Sequence, residues 1–157
     1  MSVIHYDIEI RECADKYDLP YGLIAAIIRV ESSGNTWAMR YEPTFMVLLN
    51  GKQWPVFGAV SHDTEVHARS TSWGLMQVMG QVARERGFEG VFLSELCKPQ
   101  LGIEYGCRQL AFFRQRYFDR DGWNGVISSY NQGGPRRAPD GDFLNSSYVR
   151  KVRNIWA

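Results

Sequence analysis

Leu23-Ile24-Ala25-Ala26-Ile27-Ile28-Arg29-Val30-Glu31-Ser32-Ser33-Gly34-Asn35 is the stretch that decides how this chain is read. Leu23, Ile24, Ile27 and Ile28 stand at i, i+1, i+4 and i+5, the spacing of a helix with a broad buried face. Ser32, Ser33, Gly34 and Asn35 stop it, and Pro20 suits its first turn. Glu31 therefore closes a buried helix. Apolar neighbours and the negative pole of the helix both favour its protonated form, which predicts a raised pKa. A carboxyl group that keeps its proton near neutral pH is suited to general acid catalysis. Taken alone, an ordinary surface glutamate in a last turn is the commoner case.

Working outward, helical spacing recurs on both sides. Ile10, Ala14 and Tyr17 predict a helix over about residues 3–17. Phe45-Met46-Val47-Leu48-Leu49 predicts a short helix stopped by Asn50-Gly51. Leu75, Val78, Met79, Val82 and Ala83 predict one over about 74–86, closed by Gly87. Ile103, Cys107, Leu110, Phe113 and Tyr117 predict another over about 99–118. Val126, Ile127 and Tyr130 predict one ending at Gly133-Gly134-Pro135, and Tyr148, Val149, Val152, Ile155 and Trp156 predict the last. Strand alternation is nearly absent. The expected fold is mainly α, about six helices in a single domain over 1–157. A long irregular segment, with any small β-hairpin, falls around 40–72, and long irregular segments are often functional.

Bulk properties narrow the classes. A chain of 157 residues can bury a real core. The net charge of +1 carries no nucleic-acid signature, but the charge is uneven. Residues 1–100 hold 9 Lys+Arg and 12 Asp+Glu, a balance of −3, while residues 101–157 hold 9 and 5, a balance of +4. Arg136, Arg137, Arg150, Lys151 and Arg153 make that end basic, suited to an anionic envelope polymer or, more commonly, to solvation. Cys13, Cys97 and Cys107 lack metal-type spacing and read as buried thiols. No run is long enough to span a bilayer. The first residues lack a basic region and an apolar stretch of signal-peptide type.

Three segments read together resemble a known family. Glu31-Ser32 follows a buried helix, Gly74-Leu75-Met76-Gln77-Val78 comes later, and Ser129-Tyr130-Asn131-Gln132-Gly133 closes another helix. This ordered set is similar to the lysozyme-like lytic transglycosylase domain of the soluble (SLT) type, related to goose-type lysozymes. The resemblance covers about residues 8–156.

It implies cleavage of the β-1,4 bond between N-acetylmuramic acid and N-acetylglucosamine in peptidoglycan. The product carries a 1,6-anhydro ring, because the sugar's own C6 hydroxyl replaces water. Glu31 matches the family's single acid, which acts first as acid and then as base. Tyr130 matches a tyrosine whose hydroxyl lies near that acid, and Ser32 the serine that follows it. Gln77 and Asn131 match residues lining the sugar cleft, and Met76 belongs to the same block. The bland roles are a core tyrosine for Tyr130 and helix-end capping for the amides.

Flat indole faces suit pyranose rings, so Trp73 is the first choice for cleft contact, with Trp37 and Trp54 second. Trp123 and Trp156 fit core patterns. Ser70 falls where some relatives have a cleft serine. Glu42 is the main departure from the family pattern. As a second acid it would activate water and give a hydrolytic muramidase, or it forms an ordinary ion pair with Arg40. Asp63 and Glu65 are further candidates for that second acid. His62 and His67 match no strong ligand pattern, and their segment reads as a loop. The resemblance calls for no metal and no cofactor. The expected partner is peptidoglycan glycan strands, met by a monomer without nucleic acid. The expected place of action is the cell wall (periplasm), reached by a phage endolysin made in a host cytoplasm or by a mature form or domain.

Overall fold

The structure is a computed structural model and describes residues 5–157. Two compact units divide the chain. One is formed by Met1–Val30 with Cys107–Ala157, and the other by Glu31–Gly106. The second is thus inserted in sequence between the two segments of the first.

The first unit is helical. Helix α1 covers Asp7–Tyr17, and the expected start at residue 3 lies outside the described residues. Asp7 carries its first turn, taking hydrogen bonds from Arg11 (2.8 Å) and from the Tyr21 hydroxyl (2.6 Å). Helix α2 runs Tyr21–Ser32. Its Leu23, Ile24, Ala26 and Ile27 are fully buried and Ile28 nearly so. Each large side chain there contributes roughly 1.5–3 kcal/mol of burial. The helix stops where Ser33 takes a left-handed φ of 53° and Gly34 one of 81°.

The two helices expected between residues 99 and 133 are both present; they are numbered together as α6 (Pro99–Gln132) and separated by a kink at Gly122. Gly122 has φ 60° and ψ −164°, a conformation open to glycine and not to L side chains, so the break needs this residue. The C-terminal helix, Ser146–Trp156, will be called α7. Trp123 and Trp156, expected in the core, are half-buried and pack edge to face at 5.8 Å. Trp156 also sits so close to Gly22 that a Cβ there would clash with the indole.

The second unit holds a three-stranded antiparallel sheet, β1 (Met39–Tyr41), β2 (Thr71–Trp73) and β3 (Val78–Met79), in that order. Strands β1 and β2 stand at the two ends of the 40–72 segment and pair across it: Met39 with Trp73, Arg40 with Ser72, Tyr41 with Thr71. The segment itself is partly helical. Helix α3 spans Pro43–Leu49, with Pro43 in its first turn.

Helix α4 spans His62–Arg69, where a loop was expected. Its signals are local: Ser61 caps it by accepting from Thr64 N–H at 3.1 Å, acids stand in the first turn, and His67 and Arg69 in the last. Its period was hidden because two of its three buried positions are charged, Glu65 and Arg69.

The expected helix over 74–86 is shortened. Gly74 (φ 72°) and Gln77 (φ 48°) are left-handed, Val78 and Met79 pair with β2, and only Gly80–Glu85 (α5) is helical. Leu75, Met76, Val78 and Ala83 are all buried, so the apolar spacing reports a core turn followed by a helix as well as it would report one helix. A 3₁₀ turn over Leu93–Cys97 precedes α6. Cys13, Cys97 and Cys107 are buried and in no disulfide.

Candidate functional site

In the second unit the first two sequence blocks meet. Glu31 and Ser32 end α2 and are half-buried. The Ser32 hydroxyl donates to the Leu75 carbonyl at 2.7 Å. One short hydrogen bond therefore clamps the helix end that carries Glu31 onto the Gly74–Gln77 turn.

That turn is over-determined. Gly74 N–H donates to the Ala38 carbonyl at 2.8 Å. The Gln77 side-chain amide donates to the Ala38 and Gly74 carbonyls, each at 3.0 Å. A left-handed non-glycine residue such as Gln77 costs about 1–3 kcal/mol and persists only where its surroundings hold it. Strain of this kind clusters at functional sites. Gln77 thus spends its N–H groups on backbone, leaving its amide oxygen as the atom it can offer elsewhere.

Several expected cleft residues turn out to be internal. Met76 is fully buried and so close to Gly106 that a Cβ on that glycine would overlap its sulfur. Ser70 is fully buried and donates to the Val66 carbonyl at 3.0 Å. Neither reaches a ligand in this arrangement; each holds the backbone around the turn. Trp73 is mostly buried, with its indole N–H on the Ala68 carbonyl at 3.0 Å, and it lines a groove. Trp37 is 75% exposed. Trp54 donates its indole N–H to the Leu49 carbonyl and stacks on Arg69 at 4.9 Å, which makes it an anchor of its own loop.

Two of the three acids considered for water activation are engaged. Glu42 is paired with Arg40 at 2.9 Å, and its own N–H bonds the Ser70 carbonyl. Glu65 is buried and gripped by two arginines, Arg69 at 2.9 Å and Arg84 at 2.7 Å, so it cannot reach a water at a sugar as the sequence allowed. Asp63 is exposed. His67 Nδ1 bonds the Asp63 carbonyl and His62 Nε2 accepts the Trp54 N–H.

The third block belongs to the first unit, at the end of α6. Asn131 is exposed, and its side-chain oxygen accepts from Asn145 at 2.9 Å. Asn145 also donates to the Ser128 carbonyl and accepts from the Ser128 hydroxyl, which in turn takes a hydrogen bond from Gln132. Asn145 is a positioning residue that sequence reasoning missed; its only sequence signal is its place just before the last helix. Tyr130 is half-buried. The basic end is largely paired within the same unit: Arg137 with Asp121, Arg150 with Asp142, Arg153 with Asn124, and Arg136 with the Gln132 carbonyl.

No helix among the described residues is long and apolar enough to cross a membrane. No curated protein matches the chain. The family model for the transglycosylase SLT domain matches residues 9–140, a span that takes in all three blocks. The chain therefore belongs to the transglycosylase SLT domain family, and its activity is of the peptidoglycan transglycosylase type.

Proposed function

We propose that this protein is a lytic transglycosylase that cleaves the β-1,4 bond between N-acetylmuramic acid and N-acetylglucosamine and leaves 1,6-anhydro ends. Glu31 is the proposed acid and base. As the C1–O4 bond breaks, its carboxyl proton passes to the leaving O4. The C6 hydroxyl of the same sugar then bonds to C1, and its proton returns to the Glu31 carboxylate. One group serves both steps because its protonation state alternates. The charge developing at C1 is met by the substrate's own N-acetyl group, as in substrate-assisted glycosidases. Tyr130 takes the role that the family resemblance implies for it, and Asn131 and the Gln77 amide oxygen are proposed to bind sugar.

The observation that carries this reading is the Ser32 to Leu75 hydrogen bond, which ties the helix end bearing Glu31 to the family's second block. A second observation favours anhydro products over hydrolysis: of the three acids on which a hydrolytic muramidase would draw, Glu42 and Glu65 are held in ion pairs, which leaves only Asp63. Mass spectrometry of digested peptidoglycan tests the proposal. Muropeptides lighter by one water than the hydrolysis products are expected, whereas reducing muramic acid ends would establish water as the acceptor. Glu31→Gln is expected to lower turnover by about 100-fold or more while wall binding persists. Wild-type lysis by that variant would remove Glu31 from the chemistry.

A further inference from the structure

Asn145 breaks a local rule. It stands at the N-cap of α7, where an asparagine ordinarily accepts a hydrogen bond from the first turn of its own helix. Here its side chain makes no cap bond. Giving up that bond is destabilising, and such departures are expected where a residue serves a site.

Atom types fix where the side chain goes instead. The Ser128 carbonyl can only accept, so the Asn145 atom 3.0 Å from it is the amide nitrogen. The Asn145 oxygen then takes the Ser128 hydroxyl hydrogen at 2.8 Å. The second N–H of Asn145 points at Asn131, so the Asn131 atom 2.9 Å away is the oxygen. The far end is fixed in the same way. Gln132 sets its amide nitrogen on the Arg136 carbonyl (3.1 Å) and on the Ser128 hydroxyl (2.8 Å), which leaves that hydroxyl's hydrogen for Asn145. All these bonds run in one sense, from Gln132 through Ser128 to Asn145 and on to Asn131. Bonds in such a chain strengthen one another. Ser128 is fully buried and Asn145 half-buried, so the chain is anchored in its unit.

An unrestrained asparagine offers a ligand either its oxygen or its NH₂ by turning about its last bond. Asn131 has lost that choice. Its oxygen faces Asn145, while its NH₂ has no partner among the described residues and the residue is exposed. We propose that Asn145, by this positioning, makes Asn131 a hydrogen-bond donor only, so that the end of α6 selects an acceptor oxygen on the glycan. This rests on the reading that Asn131 binds sugar. The oxygen belongs to an acetamido carbonyl or to a hydroxyl or ring oxygen of the strand.

Binding of soluble glycan strands, stripped of stem peptides, to the Glu31→Gln protein tests it. Asn131→Asp keeps an oxygen for Asn145 and loses the NH₂. It should weaken binding about tenfold in about 0.5 M salt, which screens the added charge. Asn145→Ser lets the Asn131 amide turn and should weaken binding about threefold, while serine remains a good N-cap. The double variant should bind no more weakly than Asn131→Asp, because a carboxylate presents the same atom either way round. Additive losses overturn the proposal, since Asn145 would then act on the fold alone. If Asn145→Ser does not fold, Asn145→Asp replaces it. That variant has no N–H to give, so the Asn131 NH₂ must turn inward, and unchanged binding overturns the proposal.

Unchanged binding by Asn131→Asp, where Asn131→Ala binds weakly, overturns it too. Unchanged binding by both removes Asn131 from the sugar site and overturns the underlying reading as well. Failure of the proposed cleavage shows separately, in the products of the wild-type protein. De-N-acetylated strands identify the oxygen. A loss confined to acetylated strands assigns the acetamido carbonyl, and an equal loss on both assigns a hydroxyl or ring oxygen.

Discussion

Glu65→Gln should be the most damaging single-atom change in the second unit. Glu65 is 1% exposed, and its two oxygens take three hydrogen bonds: from Arg69 Nε (2.9 Å), Arg84 Nε (2.7 Å) and Arg84 Nη2 (3.0 Å). Both guanidinium groups are 4% exposed. Burial pulls the Arg69 guanidinium below its ordinary value; Glu65 opposes that, the neighbouring Arg84 adds to it, and Glu85 opposes it more weakly. The arginines also organise the 54–58 segment. Arg69 donates to the Pro55 carbonyl and stacks on Trp54, while Arg84 stacks on Phe57 at 4.1 Å and donates to the Phe88 and Gly90 carbonyls.

Glutamine keeps the shape and removes the charge that both buried guanidinium groups bind directly. Breaking a buried pair in this way costs about 3–5 kcal/mol. At about 2–4 °C per kcal/mol for a chain of this size, Tm should fall by about 6–20 °C. Circular dichroism melting measures the fall, and hydrogen exchange should show the amides near Trp54 and Phe57 opening first. The exposed pair Lys98–Glu95 is the control: Glu95→Gln should move Tm by only about 2 °C. A fall no larger than that control, or unchanged exchange near Trp54, would refute the reasoning.

Three further outcomes are expected. Ser32→Ala removes the clamp on Leu75 and should cost about 1 kcal/mol of stability, with a fall in kcat larger than any change in KM, measured by denaturant melts and wall-lysis kinetics. Burial pushes the Asp121 carboxyl up, but hydrogen bonds from Arg137 and Arg120 outweigh it and hold it below the ordinary 3.8. A depressed carboxyl contributes stability above its unfolded pKa that is lost as pH falls through its folded value. Stability should therefore drop below about pH 4, and Asp121→Asn should flatten that drop in acid titrations. Burial pushes the Cys97 thiol up, so it should resist iodoacetamide in the native protein at neutral pH and react once the chain is unfolded, as read by mass spectrometry.

The legible part of the fold was the part whose side chains alternate between apolar and solvated. Helices α1, α2 and α7 and the apolar stretch of α3 follow their spacing closely, because burial of one face both creates the pattern and holds the helix. Helix α4 was not legible, since two of its three buried positions are Glu65 and Arg69, and a charged residue reads as interior only when its partners are known. The partners, Arg84 and Gln81, lie well along the chain. The turn at Gly74–Gln77 was misread for a different reason. Its apolar residues satisfy a helix period, while the left-handed φ of Gln77 depends on carbonyls that only tertiary contact supplies.

The candidate site divides along the same line. Sequence alone determined the apolar helix that ends at Glu31, the order of the three blocks and the family, because local periodicity and residue identity need no partner to be recognised. Only the tertiary structure decided that Met76 and Ser70 are internal, that Gln77 spends its amide on backbone, and that Glu42 and Glu65 are tied in ion pairs. A polar side chain's role depends on which group lies within hydrogen-bonding reach, and chain separation does not encode that distance.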